Sequence, residues 1–362
     1  MIETVLRAYL PDIEHFSLIP IGSGLIHRTW RVEVPGGRGE VPAGKVFVLQ
    51  EVNTGVFTDP VAIAENLDKI GRYLAEHAPG YLFAAPVRTA DGSVFYKDDG
   101  GAYFRLFPFV SGSRTYDVVS SPEQAYEASR QFGLFTRNLR GFDVGQLQET
   151  LPHFHDLELR YEQFDRAVVS GDGLRVRDSS GLIAFLQGQR GLVDEYIALK
   201  SDPGFSLRVT HHDTKISNVL FDQRDKGLCV IDLDTVMPGY FISDVGDMFR
   251  TYLSPVTEEE KDIDKIQIRP EYFEAIVKGY LQEMHDVLTT EERKSFVYAG
   301  EFMLYMQALR FITDYLNNDI YYGRRYEDHN FVRALNQVTL LQRFQQQSSL
   351  LQTIAANISA GF

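Results

Sequence analysis

The chain has 362 residues, 44% hydrophobic and 24% charged, which are the proportions of a globular protein and exclude a disordered or fibrous class. Asp and Glu outnumber Lys and Arg by 50 to 36, a formal net charge of -14, so a phosphate backbone would be repelled and nucleic acid is not expected as a partner. A chain of this length is expected to form about two domains.

Ile2, Val5, Leu6, Tyr9 and Leu10 stand at helical spacing among charges, which predicts an amphipathic helix rather than a signal peptide. No run of about 18 apolar residues follows anywhere, so no membrane span is expected. The expected location is cytoplasmic. Residues 18–24 and 29–34 read as two strands around a glycine turn, 46–50 as a third, half-buried strand, and 103–107 as a further strand. Among them, Thr58, Asp59 and Pro60 signal the start of a helix that carries Ile63, Leu67, Ile70 and Leu74. Residues 1–110 are therefore expected to form a small lobe built on an antiparallel sheet, with a hinge at about 106–112.

Residues 111–362 are expected to form a larger, mainly helical lobe. Ser121 and Pro122 open a helix that runs to about residue 139, and amphipathic stretches fill 269–288 and 290–316. A Gln- and Leu-rich stretch, 332–354, reads as a surface helix. One short block between the helices, 207–234, has apolar runs at 219–221 and 228–233 in the manner of two paired strands. The single cysteine, Cys229, lies in the second run, which predicts a buried, inert thiol and excludes an internal disulfide.

The chemistry concentrates in that block. His211-His212-Asp213-Thr214-Lys215-Ile216-Ser217-Asn218 has the spacing of the protein-kinase catalytic loop: His, one residue, Asp, four residues, Asn. The fold class expected is α+β, a protein-kinase-like two-lobed fold. Asp213 is the candidate base that orients an acceptor hydroxyl, and Lys215 can neutralise charge on the moving phosphoryl oxygens. Downstream, Val230-Ile231-Asp232-Leu233-Asp234 reads as a strand with both carboxylates on one face. Asp232 and Asp234, with the amide oxygen of Asn218, make a candidate Mg2+ site completed by the phosphates of ATP. Asp244, in Ser243-Asp244-Val245-Gly246-Asp247, is a candidate brace for the catalytic loop.

In the small lobe, Gly22, Ser23 and Gly24 lie between two strands, where backbone N–H groups can approach nucleotide phosphates. A plain hairpin turn explains them equally well. Leu106-Phe107-Pro108-Phe109-Val110 would join the lobes, with Pro108 and Val110 as candidate contacts for the adenine ring. Gln50 stands where the phosphate-pairing lysine of a protein kinase would be. There is no Walker-type Gly-x-x-x-x-Gly-Lys-Ser/Thr sequence and no Gly-x-Ser-x-Gly elbow, and the His153/His155 pair lacks further ligands at zinc spacing.

The segments Arg208 through Asn218 and Ile231 through Gly239, with Leu49-Gln50-Glu51-Val52-Asn53-Thr54, His153-Phe154-His155-Asp156, residues 310–321 and Glu327-Asp328-His329-Asn330, closely resemble the N-acetylhexosamine 1-kinases. Those enzymes belong to the aminoglycoside phosphotransferase and choline kinase superfamily. The resemblance implies transfer of the ATP γ-phosphoryl group to the anomeric hydroxyl of GlcNAc or GalNAc, with Asp213 as base and Asn218 and Asp232 at metal-binding positions. It also implies sugar contacts from Arg310 and Tyr321, although an ion pair between Arg310 and Asp314 is an equal expectation from helical spacing. The expected partners are ATP and a small sugar, with no nucleic acid and no membrane, and the expected state is a monomer, an oligomer not being excluded. The rival readings are a kinase of the same fold for choline, an aminoglycoside or another sugar, and a non-catalytic nucleotide-binding module.

Overall fold

The computed structural model describes residues 2–21, 26–35 and 44–362. In chain order the elements are α1 (Ile2–Tyr9), β1 (Ser17–Pro20), β2 (Arg28–Val34), β3 (Lys45–Glu51), α2 (Pro60–His77), β4 (Tyr96–Lys97) and β5 (Tyr103–Pro108). Then come α3 (Pro122–Asn138), α4 (Leu157–Ser170), α5 (Gly173–Asp178), α6 (Ser180–Gly188) and α7 (Gly191–Ser201). The short strands β6 (Arg208–Thr210), β7 (Val219–Phe221), β8 (Gly227–Val230) and β9 (Met237–Gly239) follow, and the rest is helical: α8 (Phe241–Tyr252), α9 (Pro270–Met284), α10 (Thr290–Lys294), α11 (Phe296–Leu316), α12 (His329–Gln346) and α13 (Ser348–Ala360). Among the described residues no helix is long and apolar enough to cross a membrane.

The chain divides into two compact units, the first made of Met1–Arg114, Gly141–Pro152 and Leu220–Pro238. It holds a five-stranded antiparallel sheet in the order β1-β2-β3-β5-β4. Leu49 of β3 stands opposite Leu106 of β5, and both are buried with Val32 and Phe104 against Val5, Leu6 and Tyr9 of α1. This is the alternation of a half-buried sheet covered by one amphipathic helix. The predicted start of α2 is capped as its residues suggest: Asp59 Oδ1 accepts from Ala62 N at 2.9 Å, with Pro60 in the first turn. Residues 141–152 and 220–238 join this unit, rather than following a single cut near residue 110, because side chains tie them to it. Asn66 of α2 donates to Gln148 O and Val236 O, and Thr150 Oγ1 donates to Asp234 O at 2.8 Å.

The second unit comprises Thr115–Arg140, His153–Val219 and Gly239–Phe362. Its centre is α11, apolar on nearly every side and correspondingly buried, with α4, α8 and α12 packed around it. Gly246 of α8 is required there, because a Cβ would lie 2.3 Å from Ala299 O of α11. The predicted 290–316 stretch is broken at Ser295: a capping box on Thr289 and Glu292 starts the short α10, and Ser295, whose N–H and hydroxyl both donate to Glu292 O, ends it.

Two expectations are corrected here. The stretch 332–354 is not one surface helix: the chain breaks at Gln347 between α12 and α13, and α12 buries Val338, Leu340, Leu341 and Phe344. The strand predicted through Asp234 ends at Val230. Asp232 adopts a left-handed backbone (φ 59°) and Leu233–Thr235 forms a 3-10 turn, so Asp232 and Asp234 do not share a strand face. The physical reason is the partner of Asp234, which turns inward to a buried arginine while Asp232 remains exposed.

Candidate active site

In the helical unit, the loop after β6 is fixed through its backbone. Asp244, in the first turn of α8, accepts His211 N at 3.1 Å on Oδ2 and His212 N at 2.7 Å on Oδ1. Asp247, one turn later, accepts Thr214 N at 2.8 Å, and Tyr252 donates its hydroxyl to Thr214 O at 2.5 Å. The sequence motif of alternating Asp244 and Asp247 therefore places two carboxylates on the helix face that holds the loop. Burial pushes the Asp244 carboxyl up to about 6, against the pull of His211 and the two backbone donors. Asp247 is in turn paired with Arg250, which also binds Glu258. Burial opposes the charge of Arg250, but the two carboxylates outweigh it and raise its pKa.

Within that loop Asp213 is oriented by its neighbours. Asn218 Nδ2 donates to Asp213 O at 2.8 Å and to Asp213 Oδ2 at 3.1 Å, and Lys215 Nζ lies 3.2 Å from the same Oδ2. The two contacts to the carboxylate both fall on Oδ2. The same bonds fix the amide of Asn218 with its nitrogen toward Asp213, so its oxygen points elsewhere. An amide oxygen is one of the hard donors that Mg2+ prefers.

Beside the loop, Ser243 Oγ sits between His212 Nδ1, at 2.7 Å, and His155 Nδ1. A hydroxyl has one proton, so it donates to one ring and accepts from the other. Gly239 makes room for this arrangement, since a Cβ there would lie 2.4 Å from His212 Cε1. Burial, helped by the neighbouring His212 ring and the charges of Arg310, Arg250 and Arg160, holds His155 well below the ordinary histidine range.

Arg310 is 9% exposed on α11, with Nη1 donating to Gln307 Oε1 at 2.9 Å and its guanidinium over the rings of Phe154 and Tyr322. The alternative ion pair with Asp314 is not formed. Asp314 instead accepts Tyr321 N at 2.7 Å and Tyr322 N at 2.9 Å, and also takes a bond from Asn330. Tyr321, held by that backbone bond, is 72% exposed and meets Tyr322 edge to face at 4.8 Å.

In the sheet unit, Gln50 and Arg105 stand opposite each other on β3 and β5. Arg105 Nη2 donates to Gln50 Oε1 at 2.5 Å, and the guanidinium donates to both oxygens of Asp234, at 2.6 and 2.9 Å. Asp234 Oδ2 also meets His27 Nε2 at 2.6 Å. Burial works to raise the Asp234 carboxyl, but Arg105 and His27 outweigh it and hold it below the usual carboxylate range. Past β5, Phe109 N donates to Val46 O, and Val110 O accepts both the N–H and the hydroxyl of Ser113. Pro108 closes β5 opposite Phe47. Gly22, Ser23 and Gly24 lie outside the described residues.

Residues 17–288 match the model of the APH phosphotransferase enzyme family. The chain belongs to that family. The phosphotransferase is also similar in fold to a microcompartment-associated aminopropanol kinase, with a TM-score of 0.62 at 15% identity over 97% of this chain and 98% of that one. A similar likeness holds to an amicoumacin kinase in complex with AMP-PNP, Ca2+ and Ami (TM-score 0.59, 16% identity, 95% and 96% covered). A choline kinase from Cryptosporidium parvum Iowa II matches with a TM-score of 0.58 at 14% identity, over 96% of each chain. The α+β, kinase-like fold read from the sequence is thus the fold of this phosphotransferase.

The sequence reading missed Arg105, His27, Asp247 and Ser243. Arg105 left a signal: it is a lone charge in the strand Tyr103–Pro108, otherwise aromatic and apolar, and a charge at such a position is rarely buried unless paired. His27 and Ser243 left none, since their partners are remote in sequence. Cys229 is buried as expected, and burial pushes its thiol up to about 12.

Proposed function

We propose that this phosphotransferase is a Mg2+- and ATP-dependent kinase that acts on the anomeric hydroxyl of N-acetylhexosamines. The observation that carries the kinase reading is the orientation of Asp213, with Oδ2 held by Asn218 and Lys215 on a loop whose backbone is braced by Asp244 and Asp247. Phosphoryl transfer asks the protein mainly for positioning and charge stabilisation. Asp213 Oδ1 would accept the hydroxyl proton as the sugar O1–P bond forms and the bond from the γ-phosphorus to the β–γ bridging oxygen breaks, releasing ADP. Lys215 would offset charge on the transferred oxygens. Asn218 Oδ1 and Asp232 would hold the Mg2+, which when bound neutralises phosphate charge. Gln50, Pro108 and Val110, with Gly22, Ser23 and Gly24, are the proposed nucleotide contacts.

For the acceptor, the guanidinium groups of Arg310 and Arg160 beside His155 favour a neutral polyhydroxyl ligand over a quaternary ammonium or a polyamine. Arg310, flanked by Phe154 and Tyr322, has a fork of donors suited to ring hydroxyls and an acetamido oxygen, and Tyr321 offers an exposed ring to the apolar face of a sugar. The test is ADP release by purified protein with Mg2+-ATP and GlcNAc, GalNAc, glucose, galactose, choline or an aminoglycoside, followed by phosphorus NMR of the product. A sugar 1-phosphate from the two acetamido sugars is expected. Turnover with choline alone would remove the acceptor assignment.

A further inference from the structure

The protein-kinase lysine that pairs nucleotide phosphates is replaced by Gln50, and the cation beside it, Arg105, is turned away from solvent. Its guanidinium is buried and donates to both oxygens of Asp234 and to Gln50 Oε1. His27 completes the arrangement with a defined tautomer: Asn53 N–H donates to Nδ1 at 3.0 Å, so the ring proton sits on Nε2 and is donated to Asp234 Oδ2. The backbone around Asp234 is also tied down, with Thr150 Oγ1 on Asp234 O and Asn66 Nδ2 on Val236 O. Two residues before Asp234 the chain takes the left-handed turn at Asp232, a conformation that a non-glycine residue keeps only when its surroundings impose it.

We propose that Arg105 and His27 are positioning residues. They hold Asp234, and through it the turn that presents the Asp232 carboxylate to nucleotide-bound Mg2+. The cation that faces phosphate in a protein kinase acts here one step back, on the segment that carries the metal ligand. This rests on the reading of Asp232 as a metal ligand given above. Gln50 belongs to the same arrangement, because its carbonyl oxygen accepts from Arg105 Nη2, the nitrogen that also donates to Asp234 Oδ2.

The test is calorimetric titration of the full chain with ADP, once with Mg2+ and once with EDTA, alongside thermal unfolding. Arg105→Lys keeps the charge but removes the fork, and His27→Ala removes the second donor, whereas His27→Gln can accept from Asn53 N–H and donate to Asp234. In Arg105→Lys and His27→Ala, metal-free ADP affinity is expected within about twofold of the parent, while the gain in affinity from Mg2+ falls about tenfold or more. His27→Gln is expected to recover most of that gain. Folded variants that keep the full Mg2+ gain, even with a lowered unfolding temperature, would show that the arrangement only stabilises the sheet unit and would overturn the proposal. If Arg105→Lys does not fold, the two His27 variants decide by the same readout. A parent chain with no Mg2+-dependent gain would instead overturn the nucleotide-site reading beneath the proposal, and the proposal with it.

Discussion

Arg105 and Asp234 form a doubly hydrogen-bonded ion pair, at 2.6 and 2.9 Å, with side chains only 1% and 5% exposed. Breaking such a pair from one side leaves a buried charge without its counterion, which is far more damaging than replacing both. Asp234→Ala is therefore expected to lower stability by about 3–5 kcal/mol. The double variant Arg105→Met/Asp234→Leu should lose less than Asp234→Ala alone. Denaturant midpoints of the three proteins check this, and an Asp234→Ala midpoint equal to that of the parent refutes it.

Asp213→Asn keeps the size of the side chain but removes the proton acceptor. Turnover should fall by about 10^2–10^4-fold, with nucleotide affinity within about twofold of the parent. Single-turnover kinetics and ADP titration separate the two effects. Near-normal turnover would rule out the base assignment.

Arg310→Ala removes the donor fork beside Phe154 and Tyr322. Losing charged hydrogen bonds to a ligand costs about 1.5–3 kcal/mol, so the acceptor KM should rise by roughly 10–100-fold while the KM for ATP stays unchanged. Arg310→Lys should not restore it, because an ammonium lacks the planar fork. Steady-state kinetics with each substrate varied in turn provide the check.

The buried Asp244 predicts a pH dependence of stability with a definite sign. Its carboxyl is pushed up to about 6 in the folded chain, whereas an unfolded aspartate titrates near 3.9. Between about pH 4 and 6 the unfolded chain has released this proton and the folded chain still holds it. Stability from this group therefore falls as pH rises through that window, by roughly 3 kcal/mol, and is level on either side. Asp244→Asn lacks the titration, so the stability difference between parent and variant should narrow from pH 4 to 6. A difference that widens would mean that the carboxyl is depressed rather than raised.

The local elements were largely readable from the chain. Asp59-Pro60 and Ser121-Pro122 marked two helix starts, because capping is a matter of neighbouring residues. The alternation through β3 and β5 marked the sheet, because a strand repeats every two residues. The His211 to Asn218 spacing marked a pair close in the chain, and Asn218 reaches Asp213 within one short turn. The strand predicted through Asp234 failed, since what ends it is an arginine 129 positions earlier in the chain.

Sequence by itself determined the kinase-like α+β fold, the His211 to Asn218 motif and the absence of an internal disulfide, all of which depend on residue identity and short spacing. Tertiary structure alone decided that Asp232 and Asp234 part company, that Asp247 joins Asp244 in bracing the loop, and that Asp314 serves the Tyr321 and Tyr322 backbone rather than Arg310. The physical reason is that a buried carboxylate goes to whichever donors the fold brings within about 3 Å of it, and those donors come from elements far apart in the chain.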